Sequence, residues 1–387
     1  MEKNAMGDIR YVGVNDHELD LFEGQYAVPE GMAYNSYVIV DEQMAVMDSV
    51  DKHFTAEWLE KVAAALDGRE PQYLIVQHME PDHSGSVEAF MQAYPQAKIV
   101  ASAKAFSIMQ AYFGHAYEAR RLIVREGDVL TLGRHVLRFI AAPMVHWPEV
   151  MLTYDETEKT LFSADAFGRF GALDVPQEDW ADEARRYYIG IVGKYGVQVQ
   201  GLLKKVNALD VRRICPLHGP VLTEPLDRYM QLYEMWSSYR PESRGVTIAC
   251  ASIYGNTMAA AELLAQKLRE KGETVALYDL ARCDMAQAVS DAFRYDRLVL
   301  ASATYNAEVF PFMHTYLHHL AERGLHGRKV ALMENGSWAP TAGKVMRTAV
   351  EGWRDTVLAE ETVRIDGVLS EGSRAQIDAL AEALCAM

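Results

Sequence analysis

The 387-residue chain is short of cysteine, of positive charge and of long apolar runs. Its four cysteines, Cys215, Cys250, Cys283 and Cys385, stand far apart and make no C-x-x-C pair. That excludes a C-x-x-C zinc site or a rubredoxin-type iron site within these residues, and a disulfide framework is not expected in so large a chain. Four reduced cysteines in or near the core are the expectation. Lys and Arg number 38 against 54 Asp and Glu, a formal charge of −16. Such a surface repels phosphate backbones, so no nucleic-acid partner is expected. No stretch reaches the roughly 20 uninterrupted apolar residues of a membrane span. The opening residues carry no apolar core behind basic ones, so no signal peptide is expected there. A cytoplasmic protein without membrane association is the resulting expectation. A G-x-G-x-x-G fingerprint is also absent, which argues against a dinucleotide cofactor.

What is present is an ordinary globular composition, half apolar and 10% aromatic, long enough for two or three domains. From residue 30 to about 222 short strands alternate with helices. Residues 37–40 and 44–48 flank a turn and read as a hairpin. Residues 73–77 form a buried strand that runs into His78-Met79-Glu80-Pro81-Asp82-His83, with helical spacing from Ser84 to about Tyr94. Residues 98–101, 136–141, 150–154 and 160–163 continue the sheet pattern, with a helix near 104–113 and one long amphipathic helix over about 182–208. Two sheets with helices outside fit this order. Residues 223–244 read as a linker helix ending in a proline-containing turn. From Val246 the pattern becomes regularly strand–helix, with strands at 246–251, 274–278, 297–301, 329–333 and 363–368. Five strands in about 140 residues suit a doubly wound parallel sheet of flavodoxin-like order. The domains expected are therefore 1–244 and 245–387.

Four potential metal ligands, His78, Glu80, Asp82 and His83, crowd six residues. One ion cannot take all four without strain, and an extended loop would point alternate side chains toward two adjacent ions. His146, Asp165 and His218 each follow a short apolar run, so they can converge on the same rim. Four imidazoles and three carboxylates without a thiolate suit iron, manganese or zinc. Three carboxylates and a bridging hydroxide would neutralise two divalent ions, as a site removed from water requires. In the second half, Ser252-Ile253-Tyr254-Gly255-Asn256-Thr257 joins a strand to a helix. Its hydroxyls, glycine and helix N-terminus are what a phosphate monoester needs. Thr304-Tyr305-Asn306 and Asn335-Gly336-Ser337-Trp338 follow later strands and would share its carboxyl edge. His314, His318 and His319 have helical spacing and read as a solvated helix face.

H-x-E-x-D-H followed by His146, Asp165 and His218 resembles the metallo-β-lactamase fold, whose zinc hydrolases usually carry His where Glu80 stands. The Glu form joined to a flavodoxin domain resembles the flavodiiron proteins, also called A-type flavoproteins or nitric oxide/oxygen reductases. The likeness extends from about Tyr11 to the C-terminus through phrases such as LDLFEGQY, NSYVIVD, FSADAFG, GKYG and CPLHGP. It implies a metallo-β-lactamase-like αββα sandwich followed by a flavodoxin-like doubly wound sheet. It also implies two non-haem irons, with His78, Glu80 and His146 on one, Asp82, His83 and His218 on the other, and Asp165 bridging. Trp147 and Tyr195 would lie near them. The Ser252–Thr257 loop looks like the flavodoxin phosphate loop, with Tyr254 in the middle threonine place. FMN is the implied second cofactor, with Tyr305 or Trp338 stacking on its ring. In the last loop the family more often has a glycine and an aromatic residue at Glu334 and Gly336, so the ring contacts there differ.

The activity implied is reduction of O2 to water, of NO to N2O, or of both. Reduced flavin and a diferrous pair together hold the four electrons that O2 needs, and two NO need only two. Electrons would come from a separate carrier such as rubredoxin. A head-to-tail homodimer, or a tetramer of two such dimers, would set the FMN of one subunit against the irons of the other. The alternatives are a zinc-dependent hydrolase of the metallo-β-lactamase fold fused to a flavodoxin module, and an electron-transfer module whose metal is structural. Glu80 and the flavin domain count against the first, and seven ligands are excessive for the second.

Overall fold

The computed structural model describes residues 7–176 and 179–387. They form two compact units: the described residues up to Tyr188 with Val197–Glu234, and Ile189–Gly196 with Met235–Met387.

The first unit is a pair of six-stranded sheets. One runs in the order Ile9–Tyr11, Tyr37–Ile39, Ala45–Met47, Tyr73–Ile75, Lys98–Ala101 and Arg121–Ile123. The other runs Val129–Thr131, Val136–Ala141, Met151–Asp155, Thr160–Phe162, Arg213–Cys215 and Leu222–Thr223. Ile39, Met47, Ile75 and Val100 from the first sheet pack against Leu137, Phe139, Met151 and Phe162 from the second. Each apolar face is thereby covered by the other, as two sheets in a sandwich require. The expected 37–40 and 44–48 hairpin is present, with Val38 opposite Val46. Ala45–Met47, Tyr73–Ile75 and Lys98–Ala101 run parallel, so their carboxyl ends open on one rim.

In the second unit the strands Val275–Asp279, Ser243–Ala251, Tyr295–Tyr305, Lys329–Asn335 and Val357–Ile365 lie side by side in that order and run parallel. With the first strand second in line, this is the flavodoxin-like order. The last strand begins earlier than the sequence pattern suggests: the adjacent exposed residues Glu360 and Glu361 interrupt its apolar run, and its register against the neighbouring strand shifts between Val330 and Leu332. The segment 223–244 contains a helix at Asp227–Ser237. No described helix is long and apolar enough to cross a membrane. Cys215 and Cys250 are buried, and Cys283 and Cys385 are half-buried.

The single long helix expected over 182–208 is interrupted. Helix Trp180–Tyr187 passes into a wide turn at Tyr188–Val192, a tight turn at Gly193–Tyr195 and a second helix at Gly196–Val206. The carbonyls of Gly193 and Lys194 accept the Tyr239 hydroxyl at 2.8 and 3.3 Å. Gly196 lets the chain approach closely, since a Cβ there would lie 2.4 Å from the Ser237 carbonyl oxygen and 2.8 Å from the Tyr239 ring. Amphipathic spacing survives such a break, which is why the pattern hides it. Gly201, on the exposed face of the second helix, has nothing within 4 Å of a built Cβ. Gly196→Ala is expected to destabilise the protein by about 1–3 kcal/mol through overpacking. Gly201→Ala should instead stabilise it by about 0.5–1 kcal/mol, the usual helix-interior gain. Thermal denaturation of the two variants beside the parent checks both signs.

Candidate functional site

Each of the seven expected ligands lies at the carboxyl end of a strand or in the loop that follows one. The segment from His78 to Glu80 is non-helical, with Glu80 extended at φ −59°, ψ 141°. Pro81 then opens a helical turn, Pro81–Ser84, as its fixed φ favours. This switch of backbone, rather than alternation along one extended loop, divides the four clustered ligands. His78 and Glu80 join one group, and Asp82 and His83 on the turn join the other.

His78, Glu80, His146 and Asp165 bring ligand atoms within 4.8 Å of one another, and so do Asp82, His83 and His218. In the first group Glu80 Oε2 lies 3.2 Å from His78 Nε2 and 3.0 Å from His146 Nε2. In the second Asp82 Oδ2 lies 3.3 Å from both His83 Nε2 and His218 Nε2, which are 3.0 Å apart. Asp165 faces both. Its Oδ2 is 2.9 Å from His146 Nε2 and 3.3 Å from His78 Nε2, while its Oδ1 is 3.3 Å from His83 Nε2 and 3.8 Å from His218 Nε2. Donor atoms sharing an ion at about 2.1 Å stand roughly 3.0–3.4 Å apart in tetrahedral or octahedral geometry. Eight of the nine observed spacings lie at 2.9–3.3 Å, in or next to this range, and the Asp165 Oδ1 to His218 Nε2 distance of 3.8 Å is longer.

Burial adds an independent test. Asp165 and His83 are fully buried, and Asp165 Oδ1, both Asp82 oxygens and His83 Nδ1 have no hydrogen-bond partner among the described residues. Unsatisfied carboxylate oxygens away from water are costly unless a cation faces them. The residues therefore fit two adjacent metal ions. Without metal the cluster balances itself with protons. Burial opposes charge on His146, but Asp165 and Glu80 outweigh it and push its pKa up to about 9. His78 is likewise raised, and Asp165, beside three imidazoles, is held well below the carboxylate range despite its burial.

Residues beyond the seven hold them in place. Asn35 donates its amide to the carbonyls of Pro216 and Gly219 at 2.9 and 2.7 Å, clamping the loop that carries His218. Asp48 accepts Gln77 N–H and the Gln77 amide at 2.7 and 2.9 Å, fixing the strand end before His78. Glu149 Oε1 lies 2.8 Å from His78 Nδ1. Glu23, on the turn between Leu21–Phe22 and Tyr26–Ala27, sets a further carboxyl near Glu80. Desolvation of that carboxyl and the Glu80 charge push it up to about 7, although the residue as a whole is exposed. Sequence reading found none of the four, and only Glu149, three residues after a ligand in HWPE, carried a local signal. The Trp147 ring meets His78 edge-on at 5.2 Å and His146 at 6.1 Å. Tyr195 is half-buried in the Gly193–Tyr195 turn and belongs to the second unit, whereas the seven belong to the first.

In the second unit a cavity of about 530 Å³ opens at the carboxyl edge of the parallel sheet. Ser252, Ile253, Tyr254, Asn256 and Thr257 line it from the first loop, Thr304 and Asn306 from the second, and Asn335, Gly336, Ser337 and Trp338 from the third. Gly255 adjoins it at φ +89° as N-cap of helix Asn256–Glu270, a conformation that favours glycine. The uncapped amides and dipole of that helix suit a phosphate. Tyr305 lies outside the lining, with its ring 5.7 Å from Phe310. Tyr254 and Trp338 are 92% and 83% exposed, leaving two flat apolar faces at the mouth. Glu334 turns away to accept Gly343 N–H at 2.9 Å. Ala303, at the start of the second loop, also lines the cavity, as do Ala307, Ala339, Thr341 and Gly367, which were not anticipated. The shape and donors fit a flavin mononucleotide.

Because His146 keeps its proton below about pH 9, and a metal requires the neutral ring, metal uptake must release protons. The apparent affinity of the metal-free protein for Fe(II) or Zn(II) is expected to rise with pH from about 6.5 to about 8.5, by up to tenfold per unit for each proton displaced. Calorimetric titration in buffers of different ionisation heat measures that release, and a flat affinity across this range would contradict the assignment of His146.

Comparison with known proteins finds the same two-domain order. A family model described as ODP family beta lactamase matches residues 32–219, and a flavodoxin model matches residues 248–350. The anaerobic nitric oxide reductase flavorubredoxin of Aeromonas hydrophila is 30% identical over 359 residues, covering 90% of this chain and 72% of that protein. The rubredoxin oxygen:oxidoreductase of Desulfovibrio gigas superposes with a TM-score of 0.91 at 25% identity, covering 98% of this chain and 97% of that one. The flavodiiron protein of Giardia intestinalis does so equally, with a TM-score of 0.91, 25% identity and coverage of 99% and 97%. The chain thus belongs to the flavodiiron family, in which a metallo-β-lactamase-like domain precedes a flavodoxin domain.

Proposed function

We propose that this chain is an oxidoreductase that reduces O2 to water, NO to N2O, or both, at a non-haem diiron pair held by His78, Glu80, Asp82, His83, His146, Asp165 and His218. The observation that carries the reading is Asp165, whose two carboxylate oxygens each face a separate group of imidazole and carboxylate donors. An oxygen- and nitrogen-only donor set suits iron, and the homologues' names supply the reaction class. Once bound, the two irons supply redox and Lewis-acid chemistry and the FMN a two-electron store.

The chain's own residues do the rest. They hold donors at bridging distance, and burial of His78, His83 and Asp165 keeps bulk water from the pair. Rings of Phe22, Tyr34 and Tyr187 stand 5.4, 6.0 and 5.4 Å from the His218 ring. Such an apolar wall suits small uncharged diatomic substrates. Electrons enter from an external carrier such as rubredoxin through FMN, held by the Ser252–Thr257 loop and its neighbours. The metal ligands and the flavin pocket belong to different units. A head-to-tail homodimer, or a tetramer of two such dimers, would appose the FMN of one subunit and the metals of another. A division of the sequence at residues 244 and 245, between the stretch that supplies the metal donors and the stretch that supplies the flavin loops, is part of the same reading.

Protein made with iron and purified without air is expected to carry about two irons and about one FMN per chain, by mass spectrometry and flavin absorbance. It should then consume O2 or NO with reduced rubredoxin. Two zincs, no iron and hydrolysis of thioesters or lactams would replace this reading with the hydrolase. Glu80→His restores an imidazole where zinc hydrolases carry one. It is expected to lower iron retention and abolish reductase turnover, and a variant keeping its irons and full turnover would refute the role given to Glu80.

A further inference from the structure

The two candidate metal positions differ in what supports their histidines from behind. His78 and Glu149 both have fully buried side chains, with His78 Nδ1 and Glu149 Oε1 2.8 Å apart. The same oxygen accepts Met79 N–H at 2.9 Å. Glu149 Oε2 is buried without a hydrogen-bond partner among the described residues. The carboxylate is therefore in a dry place, and His78 is the ionisable side chain it meets within hydrogen-bond reach. The other group has nothing equivalent among the described residues. His218 Nδ1 lies 2.8 Å from the neutral carbonyl oxygen of Ala33, and His83 Nδ1 is buried with no partner among the described residues.

A carboxylate that accepts the Nδ1–H of an imidazole fixes its tautomer, orients the ring and makes Nε2 a stronger donor. A carbonyl does this less, and an unpartnered ring nitrogen does not do it at all. We propose that Glu149 is a positioning residue that makes the two metal positions unequal. The ion held by His78, Glu80 and His146 binds first and leaves last, while the ion held by Asp82, His83 and His218 is the exchangeable one. This rests on the metal-pair reading above.

Co(II) titrated without air into the metal-free, full-length, FMN-loaded protein tests it through ligand-field absorbance and calorimetry. The parent is expected to load in two steps separated by about tenfold or more in affinity. Glu149→Gln keeps the volume and an oxygen to accept Met79 N–H, but removes the charge. It should weaken the tighter step by about 10–100-fold, merging or inverting the two, while Glu149→Asp restores part of the gap. If Glu149 served only to pack and to cap Met79, the Glu149→Gln variant would lose thermal stability or nothing, and the loading steps would stay apart. Two equal steps in the parent, or steps unchanged within about twofold in Glu149→Gln, would overturn the proposal. If the Glu149→Gln variant does not fold, the parent's step separation and the Glu149→Asp variant decide. Uptake of fewer than two Co(II) by the parent would instead overturn the metal-pair reading itself.

Discussion

Three carboxylates and four imidazoles share a space almost closed to water, and the shape of the first unit follows from making that tolerable. Any one of these groups buried alone would shed its charge or unfold its surroundings. Placed with their reactive atoms about 3 Å apart, they compensate one another through protons, or through cations when metal is present. Asp165 is the pivot because it has an oxygen for each group. The rigid elements that deliver it and its partners are strand ends pinned by Asn35, Asp48 and the Pro81 turn. A sandwich supplies such ends on one rim without intruding on the core.

Much of this was legible in the sequence because it rests on local pattern. The H-x-E-x-D-H cluster, the apolar runs before Asp165 and His218, and the strand–helix rhythm after residue 245 are written in neighbouring residues. The structure brings the seven expected ligands into two adjoining groups, and eleven of the thirteen expected flavin-loop residues line one cavity. What stayed hidden depends on contacts far apart in the chain. Asn35 reaches Gly219 across 184 residues, and Asp48 reaches Gln77 across 29. The break at Gly193 is likewise settled by Tyr239, 46 positions away. Helical periodicity reports which face is apolar, not whether the axis is continuous.

The two candidate sites answer opposite electrostatic problems. The first gathers ionised side chains and needs cations to settle them. The second offers backbone amides at a helix N-terminus, small polar side chains and exposed aromatic faces, and needs an anion with a flat ring. Neither set of donors suits the other's guest, so each unit is committed to its own cofactor by chemistry rather than by position.

The interrupted helix also bears on how the protein can be taken apart. Ile189–Gly196 belongs with the second unit although residues on both sides of it belong with the first. The polypeptide accordingly passes between the units three times, after Tyr188, after Gly196 and after Glu234. A truncation at a single point cannot yield two intact pieces. One ending near residue 234 would leave the flavodoxin-like piece without the turn whose Gly193 carbonyl accepts the Tyr239 hydroxyl.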